Sequence, residues 1–247
     1  MVQYLDTQKL IYFYPNDYLL HKTNKFMVIS VTNLKGGVGK STVAQNMAVG
    51  FAHKKYKVCI LDTDYELQTS TKWSEERTED LLPIKVVASR NDELSKTAVA
   101  LKKEYDIIII DGTPALFELS TRAIILSDLV VMPILPSIAD IWTLEKFLKG
   151  FEEARLAKES MGATVEAHIL LNKYSESLTL DREVVEVLRG FDINVLNSRL
   201  VNRIAYREAM PQGKGVIEGR DKKAGNEIQK LIIELEGIMK RIAKIAK

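Results

Sequence analysis

Cysteine is nearly absent: Cys59 stands alone among 247 residues. A single thiol excludes a disulfide framework and any zinc or iron–sulfur site built from several thiolates. Histidine is almost as scarce, and His21, His53 and His168 are too scattered in sequence to suggest a histidine-built metal centre. Net charge is lacking too. The 35 basic side chains nearly cancel the 33 acidic ones, which taken over the whole chain argues against a polyanionic partner. Apolar runs stay short, as at Ile107–Ile110 and Leu129–Met132, far below the ~20 residues that span a bilayer. Met1–Lys25 has neither the basic start nor the small-residue cleavage site of a secretory leader, so a cytoplasmic location is expected.

What remains is an ordinary globular composition, 46% hydrophobic and 28% charged, which excludes a disordered or collagen-like chain. Its pattern is an alternation. Near-continuous apolar segments at Phe26–Thr32, Lys57–Asp62, Ile84–Ala88, Ile107–Asp111, Leu129–Pro133 and Ala167–Asn172 read as strands covered on both faces. Between them, Lys40–His53, Glu93–Glu104, Leu116–Ser127 and Asp140–Met161 are long enough for crossover helices. Strand and helix in alternation imply βαβ units, hence a three-layer α/β fold with a mostly parallel sheet and helices on both faces. No linker or internal repeat interrupts residues 26–247, which are expected to form one domain. Residues 1–25, carrying Tyr4, Tyr12, Tyr14 and Tyr18, form an N-terminal extension that is either packed on the domain or free of it.

The chemistry concentrates at Lys35-Gly36-Gly37-Val38-Gly39-Lys40-Ser41-Thr42, directly after a strand and at the opening of a helix. Glycines let backbone amides turn inward around phosphate oxygens, and the helix adds the positive end of its dipole. Lys40 is placed to reach the β- and γ-phosphates and the Ser41 hydroxyl to ligate Mg²⁺. Asp62-Thr63-Asp64 and Asp111-Gly112-Thr113-Pro114 end two further strands. In a parallel sheet the carboxyl ends lie along one edge, so these carboxylates converge on the loop. Asp62 and Asp111 suit the one or two carboxylates that hold metal-bound water around Mg²⁺.

The motif departs from the ordinary P-loop, which has a glycine where Leu34 stands. Its form, K-G-G-x-G-K-S/T, resembles the ParA/MinD family of dimeric ATPases, and the resemblance extends from about Met27 onward. It implies ATP as nucleotide and Mg²⁺ as metal. It also implies that Asp64 positions the attacking water and that Lys35 crosses a two-fold interface to the partner's nucleotide. There a cation stabilises charge on the transferring phosphoryl group much as an arginine finger does. Asn172 corresponds to a base-contacting asparagine, although an asparagine after a strand is equally at home as a turn residue. Met210-Pro211 corresponds to a segment that lines the base. The family continues its D-x-D with Pro-Gln, whereas this chain has Tyr65-Glu66-Leu67-Gln68 before Thr69-Ser70-Thr71-Lys72-Trp73. The loop thus carries about one extra residue, with Gln68 as the candidate glutamine.

Several outputs occur within such a family. One cysteine cannot supply an iron–sulfur reductase, and no C-terminal tyrosine cluster marks a tyrosine kinase. DNA partition and membrane attachment remain. Charge is segregated: residues 197–247 hold 12 basic and 6 acidic side chains, against 23 and 27 in the remainder. Arg199, Arg203 and Arg207 recur at a spacing that a helix would align on one face, followed by Arg220, Lys222 and Lys223. Such a patch suits sequence-independent phosphate binding. Ala205–Ala209, Gly213–Val216 and Leu178–Glu183 resemble the partition branch, and the short build matches plasmid-type members without an N-terminal helix-turn-helix domain. That resemblance implies an ATP-bound homodimer, non-specific DNA and a centromere-binding, ParB-like adaptor as partners. The membrane alternative rests on Ile228, Leu231, Ile232, Leu235, Ile238, Met239, Ile242 and Ile245, an apolar stripe that either packs on the sheet or lies on a bilayer. A third reading is a nucleotide-gated interaction module with little hydrolysis of its own.

Overall fold

A computed structural model describes residues 26–90, 92–113, 117–175 and 178–245. The N-terminal extension (residues 1–25), Pro114 and Lys247 lie outside that range. Seven strands form one sheet: β1 Met27–Val31, β2 Val58–Asp62, β3 Lys85–Ala88, β4 Ile107–Asp111, β5 Leu129–Ile134, β6 Glu166–Tyr174 and β7 Asn194–Val201. Their order is β3-β2-β4-β1-β5-β6-β7, and every pairing is parallel. The helices are α1 Lys40–His53, α2 Thr69–Glu75, α3 Leu94–Leu101, α4 Phe117–Leu126, α5 Ile138–Ser160, α6 Thr179–Leu188, α7 Ile204–Ala209 and α8 Lys222–Ile245, with 3₁₀ turns at Met210–Gln212 and Val216–Glu218.

Side chains alternate across the sheet, and the two faces build two cores. Met27, Ile29, Val31, Ile107 and Ile109 face α1 and α8. Val28, Ile108 and Ile110 face the side covered by α3, α4, α5 and α6. Because both faces are covered, the central strands need no polar side, which is why they read as continuous apolar runs. The register matters for chemistry. Val31 and Asp62 both pair with Asp111, so β1, β4 and β2 end level at one edge.

One expectation needs correction. Arg199, Arg203 and Arg207 share no helix face. Arg199 lies within strand β7, its guanidinium 4.6 Å from the Tyr174 ring centroid. Arg203 precedes α7, and only Arg207 lies inside it. The alternation around buried Leu196 and Leu200 marks an edge strand that the arginine spacing obscured. The C-terminal stripe takes the packed one of its two expected places. Ile228, Leu231, Ile232 and Leu235 are 0–1% exposed, and Ile238, Met239 and Ile242 are also buried in the core shared with α1; Ile245 alone projects outward, 65% exposed. Burial stabilises by roughly 1.5–3 kcal/mol per large apolar side chain, so laying this face on a bilayer would strip the domain of much of its core. The helices touch closely: a Cβ on Gly50 of α1 would sit 2.5 Å from Ile232 Cγ1.

Candidate nucleotide and metal site

The loop between β1 and α1 is held from several sides. Asn33 Nδ2 donates to the Pro133 carbonyl at 2.8 Å, and Asn33 Oδ1 accepts the Lys35 amide at 2.9 Å. Gly37 (φ 75°) and Gly39 (φ 91°) occupy the left-handed region, where glycine avoids the Cβ clash. Gly39 is doubly constrained, since a Cβ there would lie 2.4 Å from Asn172 Nδ2. That amide donates to the Val38 carbonyl at 2.7 Å, while Asn172 Oδ1 accepts the Lys173 amide at 3.0 Å. Asn172 therefore braces the loop. One of its amide hydrogens and its oxygen are spent on backbone.

Lys40, the first residue of α1, is buried and bonds the Lys35 carbonyl at 2.8 Å through Nζ. Burial lowers its pKa to about 8, against the opposing pull of Asp111 and Asp64. A cation desolvated in this way interacts strongly with any phosphate that replaces its water.

The carboxylates meet at the level strand ends. Burial raises the Asp111 pKa to about 7, with the Asp62 charge adding to it and Ser70, Ser41 and Lys40 opposing. Ser70 Oγ donates to Asp111 Oδ2 at 2.6 Å. Asp111 Oδ1 is buried and has no hydrogen-bond partner among the described residues. Asp62 Oδ2 accepts the Thr71 amide and hydroxyl at 2.9 and 3.0 Å, and Oδ1 accepts the Asp64 amide at 3.2 Å. Helix α2 thus sits on both carboxylates, a role for Ser70 and Thr71 that the D-x-D pattern did not reveal. Asp64 borders the cleft, and its Oδ1 accepts the Leu67 amide at 3.0 Å. Gln68 turns back onto its own loop, donating to the Tyr65 carbonyl at 3.2 Å from a left-handed backbone.

These residues fit Mg²⁺. An orphaned, buried carboxylate oxygen beside the Ser41 hydroxyl is an acceptor set waiting for a hard cation. Among the described residues no group of three or more His, Cys, Asp or Glu could cage a metal, which suits an ion that keeps waters and shares ligands with phosphates.

From Lys40, Ser41 and Thr42 a cleft of about 560 Å³ runs toward Asn202, Tyr206 and Met210. Arg203 and Arg207 line it too, whereas Pro211 is exposed and outside it. Gly36 is exposed on the loop. Lys35 Nζ lies 2.6 Å from Asp140 Oδ2, the lysine one-third exposed and the aspartate 1%. Asp140 also accepts from the Ser137 hydroxyl and, at 3.3 Å, from the Leu135 amide near the start of α5. Arg220, Lys222 and Lys223 are exposed at the start of α8, well apart in sequence from the loop.

A glycine loop opening a helix, a buried lysine and level strand-end aspartates define a P-loop nucleoside triphosphatase. The chain belongs to the CobQ/CobB/MinD/ParA nucleotide-binding domain family, whose model matches residues 29–216. It is a P-loop ATPase of the ParA/MinD type. It is 24% identical over 218 residues to maintenance of carboxysome distribution protein A of Halothiobacillus neapolitanus, covering 86% of this chain and 98% of that protein. Among solved structures it resembles a putative plasmid partition protein of Borrelia burgdorferi B31 bound to AMPPNP (TM-score 0.68, 17% identity, 87% and 100% coverage). It also resembles the septum site-determining protein MinD of Pyrococcus horikoshii complexed with Mg-ADP (TM-score 0.65, 19% identity, 87% and 98% coverage).

Proposed function

We propose that this ATPase partitions DNA: ATP and Mg²⁺ close a homodimer that binds DNA without sequence preference, and hydrolysis reopens it. The observation that carries the reading is the exposed cationic corner of Arg220, Lys222 and Lys223 in the basic C-terminal segment of the chain. Lys222 and Lys223 stand in the first turn of α8, where cations oppose the helix dipole, so their charge serves an external anion better than the helix. Arg199 and Arg203, engaged with Tyr174 and Glu227, withdraw from the DNA patch, and exposed Arg207 joins it only at the cleft mouth.

Within the site, Lys40 and the amides of Gly37–Thr42 hold the phosphates, and Asp64 orients water. Ser41, Asp111 and Asp62 would hold Mg²⁺ and its waters, and the ion would supply positive charge to offset that of the phosphates. In the dimer Lys35 leaves Asp140 for the partner's nucleotide. A ParB-like adaptor stimulates hydrolysis. The membrane reading loses its support with the buried stripe of α8.

The test is DNA retention by wild type and an Arg220→Ala/Lys222→Ala/Lys223→Ala variant with ATP or ADP, titrated with salt, and liposome cosedimentation in parallel. Retention should require ATP. The variant's log–log salt slope should be shallower by up to ~3, about one per phosphate contact. Equal affinity and slope would remove this corner from DNA binding, and ATP-dependent liposome binding without DNA binding would overturn the function. Separately, Lys35→Ala should abolish ATP-dependent dimerisation in light scattering while ADP still binds.

A further inference from the structure

One side chain of α8 ties together the end of β7 and the start of α7, where they line the cleft. Glu227 Oε1 accepts Arg203 Nε at 2.7 Å, and Oε2 accepts the Val201 amide at 3.1 Å and the Tyr206 hydroxyl at 3.2 Å. These three donors come from the end of β7, the residue that precedes α7, and α7 itself, while Glu227 comes from α8. Its side chain is 14% exposed and that of Arg203 25%. Arg203 and Tyr206 border the cleft, and Glu227 does not.

A guanidinium tied at Nε has that edge turned toward its partner, which leaves the opposite edge free to meet a ligand. Its two terminal nitrogens donate no hydrogen bond to, and form no ion pair with, the described residues. A planar cation held in this way on the cleft lining, just beyond the end of β7 and three strands from β1, can stack on a base or donate to ribose and ring acceptors. Tyr206 supports the same geometry. Burial first, and then the Glu227 charge, raise its pKa, so its hydroxyl remains a donor to Glu227.

We propose that Arg203 contacts the nucleoside end of the bound nucleotide and that Glu227 is its positioning residue. This rests on the ATP reading of the cleft and reassigns Arg203 from DNA to nucleotide. Glu234 provides an internal control. It lies on the same helix and accepts the Asn197 and Ser198 amides at 2.7 and 2.8 Å, so it secures the same strand without bordering the cleft.

The experiment measures ATP and inorganic tripolyphosphate affinity by competition with a fluorescent nucleotide for wild type, Glu227→Gln, Arg203→Ala, the double variant and Glu234→Gln. Glu227→Gln and Arg203→Ala should each weaken ATP by about tenfold, the scale of a lost charged hydrogen bond, and leave tripolyphosphate unchanged. The double variant should be no weaker than either single one, because the two residues act as a unit. Glu234→Gln should lower thermal stability and leave ATP affinity as in wild type. ATP affinity of Glu227→Gln within twofold of wild type, or an equal loss for tripolyphosphate, overturns the proposal. Should Glu227→Gln not fold, Arg203→Ala alone decides it by the same two affinities. Wild type that binds neither ATP nor ADP would instead overturn the ATP reading.

Discussion

Replacing Gly39 by alanine should damage the phosphate loop without touching a phosphate ligand. The new Cβ would stand 2.4 Å from Asn172 Nδ2, so the amide must move and its 2.7 Å bond to the Val38 carbonyl is lost. A left-handed backbone adds ~1–2 kcal/mol for an L-residue, and a broken hydrogen bond adds ~1 kcal/mol. Together these come to about 2–3 kcal/mol, or roughly 30–150-fold in affinity at 1.4 kcal/mol per decade. Anisotropy of a fluorescent ATP analogue would measure it, with circular dichroism verifying that the fold persists. Asn172→Ala loses only the bond and should bind about fivefold more weakly. The double variant should be weaker than wild type by less than the product of the single effects, because removing the amide also removes the clash. Gly39→Ala binding within threefold of wild type, or strictly additive effects, would refute the reasoning.

Arg77 and Glu218, 6% and 5% exposed, form a buried pair at 2.8 Å, and Arg77 also donates to the Gly213 and Leu82 carbonyls at 2.6 Å. Arg77→Met strands the glutamate and should cost about 3–5 kcal/mol, lowering Tm by roughly 6–20 °C; adding Glu218→Gln should recover part of that in the same melt. His168 on β6 is held below its usual pKa by burial, against Glu166 and Glu234, while Arg241 adds to the lowering. A base with a depressed folded pKa contributes stability fully above its unfolded pKa of ~6.5 and loses it as pH falls below that value. The urea midpoint should therefore drop between pH 7.5 and 5.5, and His168→Gln should flatten that drop.

The central strands were legible because burial on both faces leaves no polar alternation to misread. The loop from Lys35 to Thr42 was legible because phosphate binding demands glycines in one order. β7 was not, since an edge strand with Arg199 and Ser198 on it carries weak periodicity, and three arginines four apart imitate a helix. Asp140 was hidden for another reason. It meets Lys35 across 105 positions, and no local spacing encodes that contact. Ser70 and Thr71 fell in a recognisable segment, yet their hydrogen bonds to Asp111 and Asp62 depend on how the longer Tyr65–Gln68 loop folds. Asn172 was found by resemblance as a base contact, but its amide donates to the phosphate loop, a contact across 134 positions that no local spacing encodes.

The close seating of α8 on α1 has a consequence for biosynthesis. Gly50 and Ile232 stand 182 positions apart, so α1 leaves the ribosome long before the helix that covers it. Until then the apolar face behind the phosphate loop is bare, and such long-range closure is slow and prone to aggregation. The nascent chain can spell the whole nucleotide motif early and still lack a nucleotide site. The site is complete only once α8 docks and Glu227 meets Arg203 behind the cleft lining.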